Sequence, residues 1–155
     1  MTMDGLNNPT DVLVRLMEPR DAAHVFLLTE QLGYQRSKEA ILEWIERVAS
    51  EPTSQRAYVA CVGEEVVGWI EVSIERRLQT DPFALIGGLV VKDGFRGRAI
   101  GKRLCEAAEA WGWSRGVKVV RVTSREARAD AHRFYLRDGY NVVKTSLVFE
   151  KEKPD

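Results

Sequence analysis

The residue pattern predicts an α/β fold: a mixed central β-sheet flanked by helices on both faces. Three observations predict it. Residues 57–62 and 66–75 are strand-like runs joined by the turn Gly63-Glu64-Glu65, which reads as an antiparallel hairpin. Residues 83–91 are apolar on both alternating faces, as a strand covered on both sides must be. After them, a helical period is followed by a short strand at residues 117–122, the order of a right-handed crossover between parallel strands.

The elements follow in chain order. Residues 1–10, with Asn, Gly and Pro, form a loose tail, and residues 12–17 a first strand. Pro19 and Asp21 open a helix over residues 22–31, whose apolar stripe is expected through Ala23, Phe26 and Leu27, with Gly33 supplying the left-handed stop. Ser37 caps a second helix, in which Ile41, Leu42, Trp44, Ile45 and Val48 recur at helical spacing until Pro52.

In the second strand of the hairpin, Val66, Gly68, Ile70, Val72 and Ile74 face one way. Val67, Trp69, Glu71, Ser73 and Glu75 face the other, so that side is polar beyond Trp69 and meets water or a substrate. Residues 76–82 read as a connection. A third helix carries Ile100, Leu104, Ala107, Ala108 and Trp111 on one face and ends near Gly116. Residues 129–137 form a short helix closed by Gly139, and residues 140–143 and 145–150 are expected to finish the sheet. Trp44, Trp69 and Trp111 have core spacing, whereas Trp113 cannot share the face of Trp111.

The chain of 155 residues reads as a single domain, residues 1–155, able to bury a core unaided. Its 23 basic and 23 acidic residues cancel, which argues against a general nucleic-acid binder. Cys61 and Cys105 lack metal-ligand spacing and read as buried thiols of a reducing compartment. No metal site is expected. No apolar run is long enough to cross a membrane and the first residues are polar, so a cytoplasmic location is expected.

Chemistry concentrates at residues 89–104, an apolar strand end, a basic glycine-containing loop and a helix start. Backbone N–H groups at such a helix start, with the positive end of its dipole, suit a phosphate. Arg96, Arg98, Lys102 and Arg103 add charge around it. A P-loop would need glycine where Arg96 stands and Ser or Thr where Arg103 stands, and the three glycines of a dinucleotide fingerprint are absent.

The run Arg96-Gly97-Arg98-Ala99-Ile100-Gly101, after its apolar strand, resembles the acetyl-CoA-binding signature of the GNAT superfamily of N-acetyltransferases, with Ala99 where glycine is usual. Downstream, Asp130-Ala131-His132-Arg133-Phe134-Tyr135-Leu136-Arg137-Asp138-Gly139-Tyr140 resembles that family's second motif, and the resemblance spans residues 11–151. The six-residue run ending in Phe134-Tyr135 and the overall size are similar to small bacterial members, including aminoalkylphosphonate acetyltransferases. Residues 76–83 depart from those in having no histidine.

The resemblance implies the GNAT-like acyltransferase fold and acetyl transfer from acetyl-CoA to a primary amine of a small molecule, by direct attack in a ternary complex. It leaves a protein N-terminal or lysine acetyltransferase, or a CoA-binding regulator without catalysis, as alternatives. It implies that the loop Arg96, Gly97, Arg98, Ala99, Ile100, Gly101 and Lys102 holds the pyrophosphate, and that backbone groups at Leu89, Val90 and Val91 meet the pantetheine arm and thioester. Arg128 stands where relatives place a pantetheine-contacting asparagine. Tyr135 takes the role of general acid, while Phe134 turns to the core. The resemblance also allows a homodimer.

The glutamate that many members carry near Gly87 or Gly88 is missing. Glu71, on the polar face of the neighbouring strand, is the candidate base, directly or through water, with a solvated strand residue as the ordinary alternative. Gly87-Gly88 fits a β-bulge or a packing requirement equally well. His132 reads as a capping or packing residue, and His24 has no partner in sequence.

Overall fold

The computed structural model describes residues 11–124 and 129–155. The expected loose tail at residues 1–10 and Arg128 therefore lie outside the described residues. The chain forms two compact units, residues 1–123 and 124–155.

The first unit is built on a five-stranded sheet in the order β1-β2-β3-β4-β5. The strands are β1 (Val12–Leu16), β2 (Gln55–Val62), β3 (Glu65–Arg77), β4 (Thr80–Val91) and β5 (Val120–Val122). The first three pairings are antiparallel and β4 with β5 is parallel, so the mixed sheet and crossover are as expected. Residues 76–82, expected as a connection, mostly continue the strands: Arg77 pairs with Thr80 across a two-residue turn. A hairpin this long keeps both chains hydrogen-bonded to its tip, which the polar sequence there did not advertise.

Helices α1 (Ala22–Leu32) and α2 (Lys38–Ser50) cover one face, and α3 (Ile100–Ser114) the other. The buried residues of α1 are Ala22, Val25, Leu28 and Thr29, not the expected stripe of Ala23, Phe26 and Leu27; Leu27 is exposed. A 3-10 turn, Pro19–Asp21, precedes the helix and resets which residues face inward. That turn is anchored by Asp21, whose carboxylate accepts two hydrogen bonds from Arg15, at 2.7 and 2.8 Å. Burial alone would raise the Asp21 carboxyl, but the Arg15 bonds and the Glu18 N–H outweigh it and hold it below the usual range. In α2 the prediction holds: Ile41, Ile45 and Val48 are buried and the Ser37 Oγ accepts from the Ala40 N–H at 3.0 Å.

Two bulges rearrange the faces of β3 and β4. Cys61 pairs with Val66 but Ala60 with Gly68, so Val67 is an extra residue. Val66 consequently packs in the α1–α2 core with Trp69, correcting its expected grouping with Gly68. Gly68 lies under α3: a Cβ there would meet the Val90 carbonyl oxygen at 3.0 Å, Leu104 Cδ1 at 3.2 Å and Ile100 Cγ2 at 3.4 Å. The absent side chain lets the start of α3 sit close on the sheet.

The second unit contains α4 (Ala129–Arg137), ended by Gly139 at φ +94°. Residues 140–143 and 145–150, expected as strands, are in no strand, and Val142, Val143, Leu147, Val148 and Phe149 are exposed. Alternation and β-branching make a segment suitable for a ladder, but a strand exists only where a partner backbone takes its hydrogen bonds.

Candidate active site

Strand β4 organises the site, and it departs from β5 within a few residues. The two pair at Ala84–Val120, Leu85–Arg121 and Ile86–Val122 and no further. From Gly87 to Val91, β4 remains paired with β3 on its other side, through Gly88, Leu89, Val90 and Val91. Backbone groups directed towards the β5 side of this stretch have no ladder partner among the described residues, leaving an open edge where an extended ligand can hydrogen-bond. Val90 is buried in the core and Leu89 and Val91 are half-buried, so the three would act through backbone rather than side chain.

Two tethers hold the end of this edge. Gln31, on α1, donates to the Val91 carbonyl at 2.9 Å and accepts from the Asp93 N–H at 2.9 Å. The Lys92 N–H donates to the Val67 carbonyl at 2.7 Å, within the β3 bulge. Gln31 was not singled out by the sequence reading. Nothing local marks it, because its partners lie some sixty residues away in the chain.

Beyond Lys92 the backbone reverses repeatedly. Gly94 and Gly97 have φ +90° and +86°, and Ala99 adopts φ +58°, a left-handed conformation that costs an alanine about 1 kcal/mol. Ala99 is the N-cap of α3 and offers no side-chain acceptor, and the first intrahelical bond runs from the Arg103 N–H to its carbonyl at 3.0 Å. The N–H groups of Ile100, Gly101 and Lys102 therefore precede the hydrogen-bonded part of the helix, at the positive end of its dipole. Ile100 itself is buried, and contributes an N–H rather than a side chain.

Arg96, Gly97, Arg98, Ala99 and Lys102 are exposed and Gly101 is half-buried. The guanidinium of Arg98 and the ammonium of Lys92 lie 5.0 and 5.9 Å from the Phe95 ring centre, and Arg96 pairs loosely with Asp93 at 3.5 Å. The arrangement fits a diphosphate: uncapped amide donors at the centre and exposed cations around them.

The second bulge, at Gly87, makes a recess further back along β4. Glu71 pairs with Gly88 and Val72 with Ile86, so Gly87 is the extra residue. Of the two readings of the glycine pair, the bulge and the packing requirement both hold. A Cβ on Gly87 would meet Glu71 Oε1 at 2.7 Å, and one on Gly88 would meet the indole of Trp69 at 2.9 Å. The two missing side chains are thus the space into which Glu71 and Trp69 turn. Burial pushes the Glu71 carboxyl up, with no countering charge or hydrogen bond among the described residues. The six-membered ring edge of Trp69 lines the same recess; the residue is 8% exposed and its Nε1 has no acceptor among the described residues. A desolvated carboxyl at the recess marks it as a place for a polar ligand rather than for packing alone.

In the second unit, Tyr135 lies on α4 with its ring edge-on to Phe134 at 5.2 Å and to Tyr140 at 5.7 Å. The Tyr140 N–H donates to the Tyr135 carbonyl at 3.0 Å, closing the helix over Gly139. Phe134, expected to turn to a core, is only half-buried, because no residue of α4 is buried. Cys61 and Cys105 are buried and in no disulfide, and no cluster of metal-binding side chains occurs among the described residues. No helix among them is long and apolar enough to cross a membrane.

Comparison with known proteins addresses the same features. The acetyltransferase (GNAT) family matches residues 21–140. The aminoalkylphosphonate N-acetyltransferase of Salmonella typhimurium is 38% identical over 77 residues, covering 49% of this chain and half (50%) of that protein. Among solved structures, the aminoglycoside N-acetyltransferase AAC(6')-Iy in complex with CoA superposes with a TM-score of 0.82 at 19% identity, over 92% of this chain and 95% of that one. Glucosamine-6-phosphate N-acetyltransferase from Arabidopsis thaliana superposes at 0.79 with 20% identity, over 92% and 99%. A transcriptional regulator from Bacillus halodurans superposes at 0.80 with 23% identity, over 91% and 100%. At such identities the superpositions establish the fold.

Proposed function

Since the chain belongs to the acetyltransferase (GNAT) family, we propose that it transfers the acetyl group of acetyl-CoA to the primary amine of a small molecule. The observation that carries this reading is the conjunction on β4 of an open backbone edge, an uncapped helix start behind it and a carboxyl recess in front. The relative acting on aminoalkylphosphonates supports a small-molecule acceptor. The family match crosses both compact units, which supports one functional domain. A cytoplasmic location, read from the polar first residues and the lack of a membrane-length apolar run, and a homodimer, drawn from the family resemblance, are further parts of the proposal.

In this reading the amides of Ile100, Gly101 and Lys102 hold the pyrophosphate, with Arg96 and Arg98 closing over it through mobile charge. Gly97 and Ala99 shape the turn that brings those amides together. The edge at Leu89, Val90 and Val91 binds the extended arm by main-chain hydrogen bonds, and an N–H there polarises the thioester carbonyl as negative charge develops on its oxygen. Acetyl-CoA would supply a thioester, whose carbon–sulfur bond breaks as the amide forms, with CoA leaving as the thiol.

Glu71 takes the proton that the acceptor ammonium must lose before its nitrogen can attack. Burial raises its pKa above the ordinary carboxylate value, which makes it a stronger base than an exposed glutamate. The Tyr135 hydroxyl donates to the departing thiolate. Arg128 completes the set as a contact to CoA.

Release of free thiol from acetyl-CoA, followed across a panel of amines, tests the proposal. Tight CoA binding with no turnover on any amine would reject it in favour of a CoA-binding regulator. Tyr135→Phe should lower kcat well before it affects CoA affinity, and an equal loss in both would make Tyr135 structural.

A further inference from the structure

The face of the sheet that carries Glu71 continues past the recess towards the β3–β4 turn. Directly paired residues of neighbouring strands share a face, so Glu71, Ser73 and Glu75 on β3 stand with Gly88, Leu85 and Phe83 on β4. Arg121 joins them from β5, because it pairs with Leu85. The side chains on this face sort into one satisfied group and two unsatisfied ones.

Glu75 is the satisfied group. It accepts from the Ser73 hydroxyl at 2.9 Å and lies 3.6 Å from the Arg77 guanidinium. Glu71, at the bulge, has neither cation nor donor among the described residues. Arg121 is its counterpart: its guanidinium lies 4.2 Å from the centre of the Phe83 ring and meets no carboxylate among the described residues. Arg77 reaches the same ring, at 5.1 Å. Phe83, only 2% exposed, is thus a buried platform that fixes two guanidiniums while leaving their N–H edges available. With Arg77 already neutralised by Glu75, this end of the face keeps the net positive charge of Arg121, and the bulge end keeps the carboxyl of Glu71.

We propose that the acceptor is an ω-amino anion, whose amine meets Glu71 and whose remote carboxylate, phosphonate or phosphate is held by Arg121 with Arg77. This rests on the acetyl-transfer reading above and adds the substrate class. The two charges of the acceptor are well separated. Glu71 and the residue paired with Phe83 are four positions apart on β3, roughly 13 Å at the rise of an extended strand. Allowing each charged group its hydrogen-bond distance leaves roughly 7–10 Å between the nitrogen and the anion, the span of a chain of about six atoms. A polycationic acceptor would set a second ammonium against Arg121, and a plain alkylamine would leave that guanidinium unpaired.

The test compares 6-aminohexanoate and 6-aminohexylphosphonate with hexylamine and 1,6-diaminohexane, and with 3-aminopropylphosphonate as the short anion, all by thiol release. The expected kcat/KM for the six-carbon anions is about tenfold or more above hexylamine, with the diamine lowest, since a charge-assisted hydrogen bond gives discrimination of that order. The two anions, compared with each other, identify which head group the arginines prefer. Arg121→Gln should bring the anion-to-hexylamine ratio towards unity, chiefly through KM, and Arg121→Lys should keep part of it. The ratio is insensitive to the fraction of folded enzyme, so a damaged variant still reads out. Turnover of hexylamine or the diamine equal to the anions, an unchanged ratio in Arg121→Gln, or preference for the short anion would overturn the inference while leaving acetyl transfer standing. Absence of turnover with every amine would overturn both.

Discussion

The loop at residues 92–99 and the recess at Glu71 both hang on β4, and they are made in opposite ways. The loop is exposed, and what it offers is backbone: left-handed turns at Gly94, Gly97 and Ala99 present the amides at the start of α3. Its arginines lie outside a packed environment, against Phe95 or Asp93. The recess offers side chains, and it exists because two other side chains are missing: Gly87 and Gly88 leave the volume that Glu71 and Trp69 enter. A backbone site tolerates most changes of side chain and responds to changes of turn. A recess of this kind responds to a single methyl group.

The largest effect should come from Glu71→Gln, which removes the proton acceptor but keeps the shape. Turnover should fall on the order of 10²-fold or more, the range for loss of a general base, while CoA affinity stays put. Because burial raises the folded-state pKa of Glu71 above its unfolded value, folding favours the protonated form. Its ionisation therefore costs stability as pH rises through the raised pKa, and the cost disappears below the unfolded value. The same variant should accordingly melt a few degrees higher than the parent at pH 8 and at the same temperature near pH 4. Wild-type kcat/KM should climb as pH rises through the raised pKa, and that limb should vanish in the variant. A lower melting temperature at pH 8 would mean that the carboxylate is held by something stabilising.

Next in size is Gly87→Ala. Its methyl group would displace the flexible end of Glu71, which is cheap for folding and costly for chemistry. An activity loss of about tenfold with a change in stability under about 1 kcal/mol is expected. Equal losses in both would mean that the bulge is only structural.

Gly68→Ala tests the loop from beneath. The added Cβ presses on the Val90 carbonyl and on Leu104 and Ile100 of α3. It should cost about 1–3 kcal/mol, typical of overpacking, and loosen CoA binding several-fold by calorimetry, because the start of α3 must move. Unchanged CoA affinity would detach the loop from its packing.

The smallest effect is favourable. Ala99→Gly relieves the left-handed strain and should raise stability by about 1 kcal/mol or less in chemical denaturation, with CoA affinity retained. Destabilisation would mean that Ala99 is better placed than its φ implies.

Much of this was legible in order along the chain. The strand and helix sequence, the crossover to β5, the loop with its basic residues, and the Phe134-Tyr135-Gly139-Tyr140 frame rest on local period and local spacing, which neighbouring residues determine among themselves. The polar face of β3 pointed to Glu71 for the same reason. What local pattern could not supply is the outcome of long-range pairing. One extra residue at Val67 moved Val66 to the other side of the sheet, and one at Gly87 opened the space for Glu71, because side-chain direction along a strand depends on counting by two from the partner strand. The inward face of α1 was reset by a 3-10 turn that Arg15 anchors through Asp21. Residues 140–150 kept a strand-like sequence and no ladder, since the partner's hydrogen bonds are not written in the segment itself. The sequence by itself determined the elements of the first unit and the basic glycine-containing loop before α3. The tertiary structure alone decided that Gln31 holds the end of β4, and that Arg121 and Phe83 share a face with Glu71. Contacts of that kind depend on register across the sheet, which no single strand contains.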